Sequence, residues 1–382
     1  MKRYPFSLVI ATVVAMLFSY NLFGADKAED AERLFKSGIA RFRADDNQGA
    51  VEDFTRAIEL NPGYAAAYDK RGEVKVKIGQ AESGKDDAEK AISLDPGLVN
   101  AYSTRSCARY SMRDYKGALE DAETVIRLAP NLADGYNNRA GAKSGMKDYQ
   151  GAVADYTRAI ELEPAEGSNY FCRGALKKEI KNYQGAKADI TKAIACDPKK
   201  ASYYCLLGVV KYWINDLQGS VADLNKSIEL DPAESSAYGI RGHVKYNLND
   251  HKGAMDDYNK SIELDAAEGS AYSLRGHVKY DLKDYKGAID DCNKAIELKP
   301  DVPVFYFNRG DSKCQIKDYK GAIDDFTKAI ELYPKNAIPY IRCGYVKAYI
   351  KYDLGYLEDM KQAARLGDTN VQEMLKKAGE SW

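Results

Sequence analysis

The sequence predicts an all-α helical-repeat protein, an α-solenoid. The hexapeptide RGHVKY occurs at 241–246 and again at 275–280, a separation of 34 residues. A ruler of that period, with the hexapeptide at positions 7 to 12, runs through ten units without an insertion, and a period of this size marks stacked supersecondary units. Inside each unit, two stretches of helical apolar spacing are separated by a capping residue and closed by proline.

The units are 31–64, 65–98, 99–132, 133–166, 167–200, 201–234, 235–268, 269–302, 303–336 and 337–370. In the first stretch, positions 4, 7, 8 and 11 share one helical stripe. Position 4 is Tyr in nine units, from Tyr68 to Tyr340, and position 8 is mostly Gly. Position 16 is Asp or Asn in eight units, among them Asp46, Asn182 and Asp318, and so supplies an N-cap for a second helix. That helix carries its apolar stripe at positions 20, 24 and 27, with small residues at 8 and 20 for close approach. Proline at position 32, in eight units from Pro62 to Pro334, stops it because proline cannot donate the next hydrogen bond. A glycine recurring at position 19, as in Gly287 and Gly321, runs against helix propensity. Residues 368–382 read as a capping helix with Val371, Met374, Leu375 and Ala378 on its covered stripe.

Residues 1–25 differ from the rest. Lys2 and Arg3 precede an apolar run from 6 to 23, and a charged segment follows. The pattern predicts an export signal or a retained N-terminal membrane anchor. Either places the repeats on the non-cytoplasmic side, periplasmic or secreted, because the basic end stays inside. The seven cysteines fall at seven different repeat positions with no CxxC, so no repeated disulfide or zinc site is encoded, and they are expected as buried free thiols.

The period, with Tyr at 4, Gly at 8, Tyr at 17, Ala at 20 and 27 and Pro at 32, resembles the tetratricopeptide repeat family over residues 31 to about 370. The resemblance implies a right-handed superhelix of helical hairpins whose first helices line a concave groove for peptides or partner proteins. The sequence departs from the family at three positions. Position 11 is basic in all ten units, position 23 is Asp in all ten, and position 7 is Arg in seven. Charges on packing stripes need partners. The expected arrangement is a ladder in which Asp at 23 accepts from the basic residue at 11 and from Arg at 7.

Positions 2, 5, 9 and 12 form the stripe that the resemblance places in the groove. Candidate partner-binding residues on or beside it are Tyr110, Asn137, Tyr212, Trp213, His243, Tyr246, His277 and Tyr280. The aromatic and imidazole row either offers contact area to a partner or packs on the adjacent unit. A peptide or protein partner is the first expectation. A glycan or cell-envelope polymer stacked on Tyr212, Trp213, Tyr246 and Tyr280 is the alternative. A polar segment with Asn100, Ser103, Asp134, Asn137 and Ser144 lies earlier.

Several chemistries are disfavoured. With 56 basic against 57 acidic residues, no basic face for nucleic acid is expected. His243 and His277, one repeat apart, sit about 8 to 10 Å from each other, too far for one metal ion, and no cofactor is expected. No nucleophile elbow, phosphate loop or HExxH is present, so the chain is read as non-enzymatic. The family's terminal-carboxylate clamp is absent, since position 5 never holds Lys and Asn138 and Asn308 lack the required neighbours.

Overall fold

The computed structural model describes residues 27–351 and 355–382. The expected signal or anchor at 1–25 lies outside them. Among the described residues every regular element is helical, and no helix is long and apolar enough to cross a membrane. The chain divides into two compact bodies, one ending at Pro198 and one running from Lys199 to Trp382.

The first body opens with a helix over 27–43 paired with Asn47–Leu60, and continues through pairs such as Ala65–Lys77 with Ala81–Leu94. Its last pair is Gly167–Glu179 with Tyr183–Cys196. The second body begins with Ala201–Trp213 and Leu217–Leu230 and ends with Tyr356–Arg365 and Thr369–Lys377. In both, a unit spends positions 1 to 13 on its first helix and 17 to 30 on its second, and consecutive hairpins stack in chain order.

The turn between the helices is set by backbone chemistry. Position 15 has positive φ in every unit, from Asp45 at 63° to Lys351 at 55°, with Gly79 at 83° in the second unit. The residue after it donates its N–H to the carbonyl of position 11, as Asp318 does to Lys313 at 3.0 Å, and Lys317 donates to Cys314 at 3.1 Å. These two bonds are a Schellman motif ending the first helix. Position 16 then caps the second. Its side chain accepts from the N–H of position 19 at 2.8 to 3.0 Å in eight units, from Asp46–Gly49 to Asp318–Gly321.

That cap explains the glycine at 19. A Cβ there would lie 2.1 to 2.4 Å from the capping carboxylate in the seven aspartate-capped units, so a side chain would push the cap aside. The second unit supports this reading from the opposite side. Gln80 makes no side-chain cap, and position 19 is Ser83.

Glycine at 8 answers a different contact. A Cβ on Gly310 would meet the Phe326 ring at 2.8 Å, and one on Gly174 the Ile190 side chain at 2.9 Å. The helices therefore approach with the position 24 side chain filling the space a methyl would take. In the third unit the pairing is reversed: position 24 is Ala122, and Ser106 at position 8 donates to the Ala118 carbonyl at 2.8 Å.

Proline at 32 proves helpful rather than necessary. The seventh unit has Ala266 there, yet its helix still ends at Leu264. Asp265 turns the chain by accepting from the N–H of Ala267 at 3.0 Å, as Asp231 does from Ala233 at 3.1 Å. At the C-terminus, Asp368 caps the last helix through the Val371 N–H at 2.9 Å. Val371 and Leu375 bury against Met360, Ala363 and Ala364 with Met374 beside them. Ala378 lies just past the end of this helix and is exposed, so it is not part of the covered stripe.

The charged ladder holds each hairpin. Arg275 donates Nε to Asp291 at 2.9 Å and Nη2 at 2.6 Å, while Lys279 Nζ lies 2.9 Å from the same carboxylate. The two-pronged Arg contact recurs in all seven units with Arg at 7. The 11-to-23 pair recurs in all ten, from Arg41–Asp53 at 3.1 Å to Lys347–Asp359 at 2.7 Å. Where position 7 is Leu207 or Cys343, the aspartate side chain is 15% exposed, against 8% or less in the other units. In the first unit Ser37 donates to Asp53 at 2.6 Å in place of the arginine.

Two further contacts of the arginine were not anticipated from the sequence. Its guanidinium lies 5.4 to 5.8 Å from the ring centre of Tyr at 4 in all seven units, a cation–π arrangement. In five of them Nη1 also reaches back to position 25 of the preceding unit, as Arg309 does to Asn293 at 2.7 Å. The ladder thus joins neighbouring hairpins as well as the two helices of one.

Candidate partner-binding surface

The stripe at positions 2, 5, 9 and 12 of the first helices carries a different surface in each body. In the first body, Lys70, Glu73, Asn100, Ser103, Asp134 and Asn138 line a polar crevice of ≈ 400 Å³ across the second to fourth units. Thr104, also in its lining, donates to Asp69 at 2.7 Å. Burial raises the Asp69 carboxyl to about 6, against the opposing bond from Thr104. Asn137 sits half-buried nearby in sequence, and its buried Oδ1 accepts no bond among the described residues. Tyr110 is 45% exposed and stands 5.6 Å from the Tyr115 ring.

The second body carries the aromatic row. The Tyr212 hydroxyl lies 3.0 Å from His243 Nε2, with ring centres 5.3 Å apart. One unit on, Tyr246 stands edge-on to His277 at 5.4 Å, and its hydroxyl donates to Asp281 at 2.5 Å. Tyr280 follows, 5.5 Å from Tyr285 and accepting from Gln315 Nε2 at 3.0 Å. Position 12 of one unit therefore packs on position 9 of the next in the first two steps, which makes the row a part of the repeat interface. Trp213, 5.6 Å from Tyr212, is the open member at 57% exposed.

Tyr212, Trp213, Ile240, His243 and Leu274 line a crevice of ≈ 560 Å³, with Gly239, Glu268 and Ser270 also in its wall. Burial lowers the His243 pKa, and the neighbouring His277 adds to the shift. The neutral imidazole is favoured, which suits an apolar crevice. Helix geometry accounts for the placement. Positions 5 and 9 are one turn apart on the same face, so Gly239 opens the space that His243 borders.

The cysteines differ from expectation. Cys292 and Cys343 are buried, but Cys107 and Cys196 are exposed, because their positions 9 and 30 lie off the packing stripes. No cluster of three or more His, Cys, Asp or Glu fit for a metal occurs among the described residues.

Comparison with known proteins follows the same lines. Tetratricopeptide repeat models match residues 269–302, 303–336, 133–166 and 235–268. No curated protein sequence matches the chain. Among solved structures, a tetratricopeptide repeat protein from Parabacteroides merdae ATCC 43184 is similar at 18% identity and a TM-score of 0.50, covering 66% of this chain and 97% of its own. YrrB, described as a TPR protein with an unusual peptide-binding site, matches at 21% identity and a TM-score of 0.41, covering 49% of this chain and 96% of its own. MamA matches at 22% identity and a TM-score of 0.39, covering 42% and 94%. These likenesses concern the fold. Repeats of this type generally mediate protein–protein contacts as scaffolds. The chain thus contains tetratricopeptide repeats, four of them matched directly, in an array whose other units share the helical hairpin.

Proposed function

We propose that this chain is an exported, non-enzymatic scaffold that holds peptide or protein segments along the position 2, 5, 9 and 12 stripe of its first helices. Export rests on the leader, with Lys2 and Arg3 ahead of the apolar run at 6–23. The observation that carries the binding reading is the crevice bordered by Tyr212, Trp213 and His243. It is concave and largely apolar, with a few polar groups in its lining, the make-up of a recognition pocket. The glycan reading fits less well. Tyr212, Tyr246 and Tyr280 each lie against a neighbouring ring, which limits the open face a sugar would stack on.

Panning the full chain against a random peptide library, with cell-wall saccharides assayed in parallel, tests the reading. The expected result is enrichment of peptides whose binding falls at least tenfold in Trp213→Ala with Gly239→Leu, and no saccharide binding. Enrichment of no peptide, or binding indifferent to those substitutions, removes the proposal. Saccharide retention lost on Trp213→Ala would install the alternative.

A further inference from the structure

The crevice beside Trp213 has a counterpart two units later. Pro303, Val304, Phe307, Tyr333, Ile338 and Pro339 line a second apolar cup of ≈ 400 Å³. The two are built at equivalent positions. Gly239 and Phe307 occupy position 5, Ser261 and Ala329 position 27, and Ser270 and Ile338 position 2 of the following unit. Between them, the matching crevice is bridged by Asn308 donating to Ser273 at 3.1 Å. Both cups lie within 199–382.

Acidic groups accompany the pair. The first cup has Glu268, and no Lys or Arg, in its lining. Asp281 and Asp311 stand on the first helices of the eighth and ninth units, Asp281 held by the Tyr246 hydroxyl and Asp311 facing His277 and Arg342. The cations opposing Glu268 and Asp311 are loosely placed. Lys299 Nζ is 3.4 Å from Glu268 and Arg342 Nε 3.5 Å from Asp311, and both side chains are about half exposed, at 45% and 54%. Such pairs are weak and open to exchange for an incoming cation.

Resting on the binding reading above, we infer that the segment held by the second body carries two bulky apolar side chains six residues apart, with basic side chains between them. The spacing follows from the repeat. Neighbouring first helices pack about 8 to 10 Å apart, so cups two units apart are separated by roughly 16 to 20 Å. An extended chain rises about 3.3 Å per residue and turns alternate side chains to the same face, so residues i and i+6 span about 20 Å on one side. Basic residues between the anchors complement Asp281, Asp311 and Glu268.

Fluorescence anisotropy of the full chain with three labelled 12-residue peptides tests this. One carries Leu at i and i+6 with Lys between, one the same anchors with Glu between, and one Lys with Leu at i and i+2. The first is expected to bind at least tenfold more tightly than either other peptide. Gly239→Leu, which fills the first cup, and Ile338→Asp, which spoils the second, should each reduce it to the level of the short-spaced peptide while circular dichroism stays unchanged. Equal binding of the three peptides, or library-selected peptides without this pattern, overturns the inference and leaves the binding reading standing. A library that yields no binder removes both.

Discussion

Asp291 accepts from Arg275 and pairs with Lys279 while its own side chain is 6% exposed. Removing one partner of a buried ionic group leaves uncompensated charge, and here two cations would be stranded. Asp291→Ala is expected to cost on the order of 3 kcal/mol, read as a lowered denaturant midpoint; a midpoint equal to wild type would show the ladder to be solvated and unimportant. Asp69 presents the opposite case. Its folded pKa of about 6 is raised above the usual 3.8, so the folded state binds the proton more tightly than the unfolded chain does. The contribution of Asp69 to stability is therefore least unfavourable below pH 4, becomes a growing penalty as pH rises from about 4 to 6, and stays a penalty above that. Asp69→Asn removes the penalty and is predicted to raise stability at pH 7.5 by up to about 3 kcal/mol, with the gain gone at pH 4. Denaturation of both proteins across that range checks it, and a gain independent of pH would refute the assignment. Both aspartates lie on helices, but only the ladder was legible in the sequence, because its positions repeat in every unit. The raised carboxyl comes from burial at a position with no repeating signature, and its partner Thr104, 35 residues away, only opposes the shift.

Each second helix begins with a carboxylate that caps and a glycine that makes room for it. Asp284→Ala should cost about 1 kcal/mol. Gly287→Ala would ordinarily gain close to that as a better helix former, but a methyl there lies 2.2 Å from the Asp284 carboxylate. The expected outcome is coupling: Gly287→Ala stabilises only in the Asp284→Ala background, and an equal gain in both backgrounds would contradict the account. Helix existence and the caps were readable from period and residue type. The left-handed residue at position 15 was not, since Asp45, Arg113, Lys147 and Asn215 share no chemical signal there and the conformation is imposed by the paired carbonyls of the helix before it. The same holds for the aromatic row. Tyr212, His243, Tyr246 and His277 could be placed on one stripe by spacing, yet which ring packs on which is decided between units. The apolar cups arise from residues up to two units apart, beyond the reach of a pattern read within one period.

At the scale of the molecule, stability in such arrays is a sum of unit and nearest-neighbour terms, with end units that need covers. The last helix, Thr369–Lys377, is that cover, burying Val371 and Leu375. A chain ending at Gly367 should lose protection from amide exchange in the tenth unit, while residues 27–198 exchange as before; loss throughout would mean a single global core. The claim beneath the whole account is that the fold repeats every 34 residues as two helices and two turns. Hydrogen–deuterium exchange of the full chain, resolved to short peptides, tests it most directly. The account predicts protection at positions 5 to 13 and 20 to 30 of unit after unit, with fast exchange at 14 to 16 and 31 to 34. Protection with no 34-residue period, or slow exchange across those turns, would contradict it.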